Sequence, residues 1–272
     1  MFDKTSVITF ATQGKSRKFR DYTKEVNQLK KEAINLGAEF SSYSYSNYLE
    51  LVSSGKCNLY PMRKGAGYWS WKPHIILEHL KSTQCRYVLY LDVDFSLIEL
   101  PNIKEISTFE HTGLALYETN EPLKSWCSSR LLKSFPYVVH GDKKMFTASV
   151  LLLDSHSQNS FQFLEDWAFL VNKPEYLLDP LFTFKENHRH DQSLLSVLAA
   201  QNRNRFSILP GIFYQSGVDN DIQSVASAWA ISRNLVGNQV KPTSVVSKFK
   251  SRIFHKIELV FFYIRLTFLR VK

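Results

Sequence analysis

The chain has 272 residues, 44% hydrophobic and 22% charged, a composition that supports a folded domain with a full core and excludes a disordered or low-complexity protein. Its net charge of +9 is uneven: Lys248, Lys250, Arg252, Lys256, Arg265, Arg270 and Lys272 against Glu258 put +6 in residues 248–272, leaving +3 for the rest. A body so nearly balanced excludes the broad basic face of a nucleic-acid-binding domain.

Cys57, Cys85 and Cys127 are too far apart for a zinc or redox motif and read as free thiols of a reducing compartment. Met1 to Thr5 lacks the apolar stretch of a secretory signal. No run approaches the ~18 apolar residues of a membrane span, so the expected location is the cytoplasm.

In chain order, Ser6 to Thr12 is a β-branched and aromatic run that predicts a buried strand ending in the turn Gln13-Gly14. Tyr22, Val26, Leu29, Ala33 and Leu36 then recur at helical steps, with Gly37 placed to close the helix, and Phe40 opens a second strand. Strand, helix and strand at this spacing predict a βαβ unit and a parallel sheet. Ser46 to Ser53 reads as a short helix. Arg63 to Pro73 is a glycine-broken, basic and aromatic loop that feeds a helix with Pro73 in its first turn and Ile75, Ile76, Leu77 and Leu80 along it.

Arg86 to Leu91 predicts an apolar strand that stops at Asp92-Val93-Asp94, and Phe146 to Leu153 another. Helices carrying Phe161, Leu164, Trp167 and Val171, and then Leu194, Leu195 and Leu198, follow, with a last short strand at Phe206 to Leu209. No linker precedes about Val240. The expected division is an α/β domain over 1–240 and a tail over 241–272.

Ligands of open parallel α/β sheets collect beyond the carboxyl ends of strands, where Asp92 and Asp94 stand. Alternation along an extended chain puts residues two apart on one side, so both carboxylates can reach one hard cation. Two like charges this close repel unless a cation separates them. Mg²⁺ or Mn²⁺ bridging them to a diphosphate satisfies both demands. The plainer alternative is that the two acids end the strand and cap a turn.

Four pieces in order resemble the metal-dependent glycosyltransferases of the GT-A fold, in particular bacterial and phage-type enzymes that build surface polysaccharide. They are the strand end Ala11-Thr12-Gln13, the loop Gly65-Ala66-Gly67-Tyr68-Trp69-Ser70-Trp71-Lys72-Pro73, the strand end Tyr90-Leu91-Asp92-Val93-Asp94, and His188-Arg189-His190-Asp191-Gln192. The resemblance implies a Rossmann-like, mostly parallel central sheet flanked by helices. It implies that Thr12 and Gln13 meet base and ribose, that Asp92 contacts ribose or metal, and that Asp94 is a direct metal ligand. Thr147-Ala148-Ser149 is similar to the element lining the sugar and acceptor pocket, and His190-Asp191-Gln192 to the acidic element beside the transferred sugar. The third protein ligand of some relatives, often a histidine, has no clear equivalent.

Sugar transfer needs a stabilised leaving diphosphate, a positioned acceptor hydroxyl and, if the configuration inverts, a carboxylate that takes the proton. Asp191 is the candidate carboxylate; its alternative role is a helix N-cap. His190 is a candidate for metal or donor contact, or a structural histidine. Arg63 and Lys72 can pair with diphosphate or simply be solvated. Among Tyr68, Trp69 and Trp71, a ring can stack on base or sugar, or pack in the bend.

Ile253, Phe254, Ile257, Val260, Phe261, Ile264 and Phe268, set against Arg252, Lys256, Tyr263, Thr267 and Arg270, form the pattern of a basic amphipathic helix on an anionic membrane surface. A helix packed on the body is the alternative. The function expected is sugar transfer from a nucleotide diphosphate sugar, with a UDP-sugar as donor, to a glycan or lipid-linked glycan such as lipopolysaccharide or capsule, peripherally on the inner face of the cytoplasmic membrane. A haloacid-dehalogenase-type phosphatase also uses Asp-x-Asp, but after its first strand and with a late acidic pair. A membrane-associated carbohydrate-binding protein would leave Asp92 and Asp94 idle unless they bind Ca²⁺.

Overall fold

The computed structural model describes residues 4–12, 20–62, 64–138, 143–178, 188–210, 212–213, 229–232 and 257–264. Gln13 and Arg63 lie outside them, as do residues 248–256 and 265–272 of the tail.

The apolar run near the N-terminus forms β1 (Thr5–Phe10), and helix α1 (Thr23–Asn35) returns the chain to β2 (Glu39–Tyr43), parallel to β1 with Ser6 opposite Glu39. Val26, Leu29 and Ala33 are the buried stripe of α1, as the helical spacing predicts. Helix α2 (Tyr45–Ser53) is opened by Ser44 and Asn47 in a reciprocal cap. Helix α3 (Trp71–Ser82) leads into β3 (Tyr87–Leu91), which adds to the other side of β1, also parallel.

Short β4 (Phe95–Leu97) follows, then β5 (Leu114–Pro122), β6 (Lys144–Asp154), helix α4 (Gln158–Val171), helix α5 (His190–Gln201) and β7 (Ser207–Ile208). The main sheet has the order β2-β1-β3-β6-β5-β7. Pairing is parallel for β1–β2, β1–β3 and β5–β7, and antiparallel for β3–β6 and β6–β5, so β6 alone runs against the rest. The expected mostly parallel α/β sheet is therefore present, with one reversed strand beside its centre. Apolar content does not distinguish a parallel from an antiparallel neighbour when both faces are covered. A second small sheet joins β4 to β8 (Ile212–Phe213) and β9 (Ala230–Ser232), beyond the predicted last strand.

Alternation divides the core in two. Val7, Leu89, Leu91, Val150 and Leu152 face α1 and the small sheet. Ile8, Phe10, Val88, Tyr90, Leu151 and Leu153 face the other way, toward Ile75 and Ile76 of α3, Phe163 and Trp167 of α4 and Leu194 of α5. Helix α5 is buried on nearly every side, with Ser193 and Ser196 among its buried residues. Ser196 Oγ accepts from the Phe146 amide and has the Phe146 and Gln192 carbonyls within reach of its single proton, at 3.0 and 2.7 Å, tying the helix to β6.

Within the tail, residues 257–264 are helical. Leu259 enters the main core, and the Phe262 ring lies 5.4 Å from that of Tyr60. Part of the tail is thus packed on the body. Among the described residues no helix is long and apolar enough to cross a membrane.

Candidate functional site

The last pair of the β3–β6 ladder is Leu91 with Val150, and the Asp92 amide still donates to the Ser149 carbonyl at 2.8 Å. Residues 144–149 of β6 therefore overhang the end of β3 and stand beside the acidic pair. Asp92 to Asp94 is not extended: the Phe95 amide donates to the Asp92 carbonyl at 3.1 Å, closing a turn, and Val93 is buried against Ala11 and Val26. Strand alternation was thus the wrong reason for pairing these carboxylates. The turn nevertheless leaves both on the wall of one cavity.

Asp92 continues the Val88–Tyr90 side of the strand, the side that α3 covers, and this brings Lys72 to it. Lys72 is only 2% exposed. Its ammonium donates to Asp92 Oδ1 and to the Ala148 carbonyl, each at 3.0 Å, and lies 3.5 Å from Asp191 Oδ2. The Tyr90 hydroxyl donates to the same Asp92 Oδ1 at 2.5 Å. Burial penalises the ammonium, but the two carboxylates outweigh it and hold the Lys72 pKa above its ordinary value. Lys72 is therefore an internal counter-ion whose charge is already shared between two acids.

Asp191 is 4% exposed in the first turn of α5. Burial raises its pKa to about 7, against the pull of Lys72 and with a further push from Asp92. It is not the N-cap: Arg189 holds that place and no side chain caps the helix. His190, which has a positive φ of 47°, is buried with Nδ1 2.8 Å from the Leu177 carbonyl and the edge of Tyr68 against its ring. His188 accepts the Ser128 amide at Nδ1, so its Nε2 carries the proton and donates to the Tyr176 carbonyl at 2.8 Å. Among the described residues the buried Nε2 of Gln192 has no hydrogen-bond partner.

The aromatic loop holds an unusual backbone. Gly65, Ala66, Gly67, Tyr68 and Trp69 all have positive φ, at 53°, 50°, 102°, 60° and 57°. The Gly67 and Tyr68 amides donate to the Lys64 carbonyl, and that of Trp69 to Gly65. Each non-glycine residue in such a left-handed turn costs about 1–2 kcal/mol, and strain of this kind is retained where surrounding contacts impose it. Glycine is required twice for space as well. A Cβ on Gly65 would come within 2.2 Å of the Trp69 ring, and one on Gly67 within 2.6 Å of the Tyr48 hydroxyl oxygen.

The turn sorts the three candidate rings. Tyr68 is wholly buried and lines neither cavity described below, so it has no face to offer a ligand. Trp71 is nearly buried, stacked on Phe10 at 3.6 Å with its Nε1 donating to the Gly65 carbonyl, and its remaining surface lines the first cavity. Trp69 is half-buried and lines both cavities.

The first cavity, about 390 Å³, is walled by Phe10, Thr12, Tyr22, Trp69, Asp92 and Asp94, with Arg20 also on its lining. Thr12 Oγ1 donates to the Arg20 carbonyl. The Arg20 guanidinium pairs with Glu25 at 2.7 Å and lies 4.8 Å over the Tyr22 ring. The second cavity, about 320 Å³, is lined by Lys72, Ser149, His190, Asp191 and Gln192, together with Arg189, which forms a two-pronged pair with Glu121. Asp92 and Trp69 belong to both. Sequence reasoning missed Arg20 and Tyr22, which carry no motif and reach the site only because the segment before α1 folds back to Thr12, whose carbonyl accepts the Tyr22 amide.

Among the described residues no three His, Cys, Asp or Glu side chains gather as a full protein cage for a metal. Two carboxylates on one wall are, however, the donor set that Mg²⁺ or Mn²⁺ uses when substrate phosphates complete its shell. Lys72 and Tyr90 both load Oδ1 of Asp92, so its Oδ2 is the oxygen suited to a cation.

No family model matches the sequence, and no curated protein matches it. Among solved structures the chain is similar to a glycosyltransferase involved in the glycosylation of the major capsid of PBCV-1, at 12% identity over 93% of this chain and 99% of that one, with a TM-score of 0.47. It is similar to mouse xyloside xylosyltransferase 1 at 11% identity over 89% and 100%, with a TM-score of 0.48. It is also similar to the bifunctional WbbM protein at 11% identity, with a TM-score of 0.49, covering 88% of this chain but 46% of that one. All three are glycosyltransferases.

Proposed function

We propose that the protein transfers a sugar from a nucleotide diphosphate sugar, with a UDP-sugar as the favoured donor, to a hydroxyl of a surface glycan. The observation that carries this reading is the junction of the two cavities at Asp92 and Trp69. A donor whose base and ribose occupy the first cavity, beside Thr12 and Tyr22, would lay its diphosphate along Asp92 and Asp94 and present its sugar to the second. Both cavities fall in the size range of small-ligand sites.

In this reading Asp92 and Asp94 hold Mn²⁺ or Mg²⁺, which would neutralise the charge developing on the leaving nucleoside diphosphate. Lys72 would keep Asp92 in place from behind, its charge already shared with Asp92 and Asp191. Among the described residues Arg20 is the cation on the first cavity's own wall, and it replaces Lys72 as the candidate partner of a phosphate. Ser149 and the Gln192 amide, whose Nε2 is buried without a partner, would bind sugar or acceptor hydroxyls, because a buried polar atom without a partner gains most from a ligand that supplies one. Asp191 lies in the second cavity, where a carboxylate can accept the proton of an acceptor hydroxyl.

The test is incubation with a panel of nucleotide sugars with and without Mn²⁺. Metal-dependent release of nucleoside diphosphate, slow without acceptor and lost in Asp94→Ala, is the expected result. Release that persists in that variant would remove the assignment of the acidic pair.

A further inference from the structure

We infer that helix 257–264 is a docking face for an anionic lipid surface. The helix is apolar on two sides. Leu259 is fully buried and Phe262 rests on Tyr60, whose hydroxyl donates to the Val171 carbonyl at the end of α4, so one side is fixed to the body. Ile257, Val260, Phe261 and Ile264 follow each other at positions i, i+3, i+4 and i+7, a single helical stripe. They are exposed at 44, 44, 67 and 46%. Scattered exposed apolar side chains are ordinary, but four on one stripe of eight residues form a patch that water covers at a cost. Phe169, two residues before Val171, is exposed as well, with the Lys173 ammonium 4.6 Å over its ring.

Charge selects the occupant. The stripe lies in a segment with seven basic residues and one acid, +6 over residues 248–272. A second copy would bring +6 against +6. A bilayer containing anionic headgroups offers both an apolar layer for Phe261 and Ile264 and negative charge for Lys256 and Arg265, which border the helix in sequence, and for the other basic residues of the segment. The packed side makes this different from a free tail: Leu259 and Phe262 tie the membrane-facing stripe to the catalytic body, so docking would hold the body at the surface. If the acceptor is lipid-linked, as the proposed function allows, this brings the enzyme to it, but the docking itself does not depend on that reading.

The test uses the full chain, sedimented with vesicles of phosphatidylcholine alone or of phosphatidylcholine with phosphatidylglycerol. Expected are binding to the anionic vesicles only and release in about 1 M salt, where charges are screened beyond about 3 Å. Phe261→Ser with Ile264→Ser should lower the anionic-vesicle affinity by about tenfold or more. The thermal unfolding of that variant should match the wild type, since both side chains are exposed, and so should its nucleotide-sugar hydrolysis in lipid-free solution. Three outcomes would overturn the inference: no binding to either vesicle, unaltered binding by the variant, or a wild-type dimer in light scattering that the variant abolishes. Loss of hydrolysis with retained vesicle binding would instead strike the proposed function alone.

Discussion

The Lys72 ammonium donates to Asp92 Oδ1 at 3.0 Å from an almost wholly buried position, and the same nitrogen lies 3.5 Å from Asp191. One cation thus links a carboxylate shared by both cavities to one that belongs to the second. Removing it leaves two acids facing each other in a low dielectric. Lys72→Met should therefore destabilise the fold by about 3–5 kcal/mol, read as a fall of roughly 10 °C in the unfolding midpoint. Adding Asp191→Asn to that variant should restore part of the loss, because the orphaned charge is then gone. A double-mutant cycle by thermal unfolding measures the coupling; strict additivity would contradict it.

Asp94 gives the opposite balance of effects. It is half-buried on the lining of the first cavity, whereas the ion pairs of Lys72 run to Asp92 and Asp191. Asp94→Ala is expected to leave stability within about 1 kcal/mol and to lower metal-dependent release of nucleoside diphosphate by about 100-fold or more, some 3 kcal/mol of barrier. Titration calorimetry with Mn²⁺ and UDP should show the matching loss of uptake.

His74, on α3, is buried, and burial drives its pKa down to about 4. The unfolded chain takes up this proton near pH 6.5 while the folded chain refuses it until about pH 4. The stabilising contribution is full above pH 6.5 and shrinks as the pH falls toward 4, by about 3 kcal/mol in all. His74→Gln removes that slope. Asp191, whose folded pKa is raised, loses stability in the other direction, as the pH climbs from about 4 to 7, but it acts on both proteins and cancels in their difference. Chemical denaturation of wild type and variant at pH 7 and pH 4 reads the effect, and parallel pH curves would contradict it.

Gly65→Ala forces a Cβ into the Trp69 indole. The ring must leave its place between the two cavities, at a cost of about 1–3 kcal/mol. Tryptophan fluorescence should shift, and UDP affinity should fall in calorimetry. Trp69→Ala should weaken UDP binding similarly without the strain, whereas Gly37→Ala, where a Cβ meets nothing within 4 Å, should spare binding and lower only stability. Equal UDP affinity in all three would remove the ring from the proposed donor site.

What the sequence determined by itself was whatever depends on near neighbours. The runs at Ser6 and Arg86 became β1 and β3, the stripe from Val26 to Ala33 became the buried side of α1, and Asp92 and Asp94 stood where an apolar strand gave out. Periodicity and strand ends are local signals, because side-chain direction follows from the backbone repeat alone. Residues distant in the chain were decided only by packing. Lys72 read as either a phosphate partner or a solvated cation until α3 lay across Val88 and Tyr90 and closed it over Asp92. For Asp191 the sequence left a reacting carboxylate and a helix cap both open, and only the burial of α5 against β6, with Arg189 at the cap, set the cap aside. The left-handed turn that frees Trp69 and hides Tyr68 is imposed by Gly65, Gly67 and the rings around them. Nor does composition record which way β6 runs, since a strand covered on both faces is apolar in either direction, and its overhang beyond β3 is what carries Ala148 and Ser149 to the site.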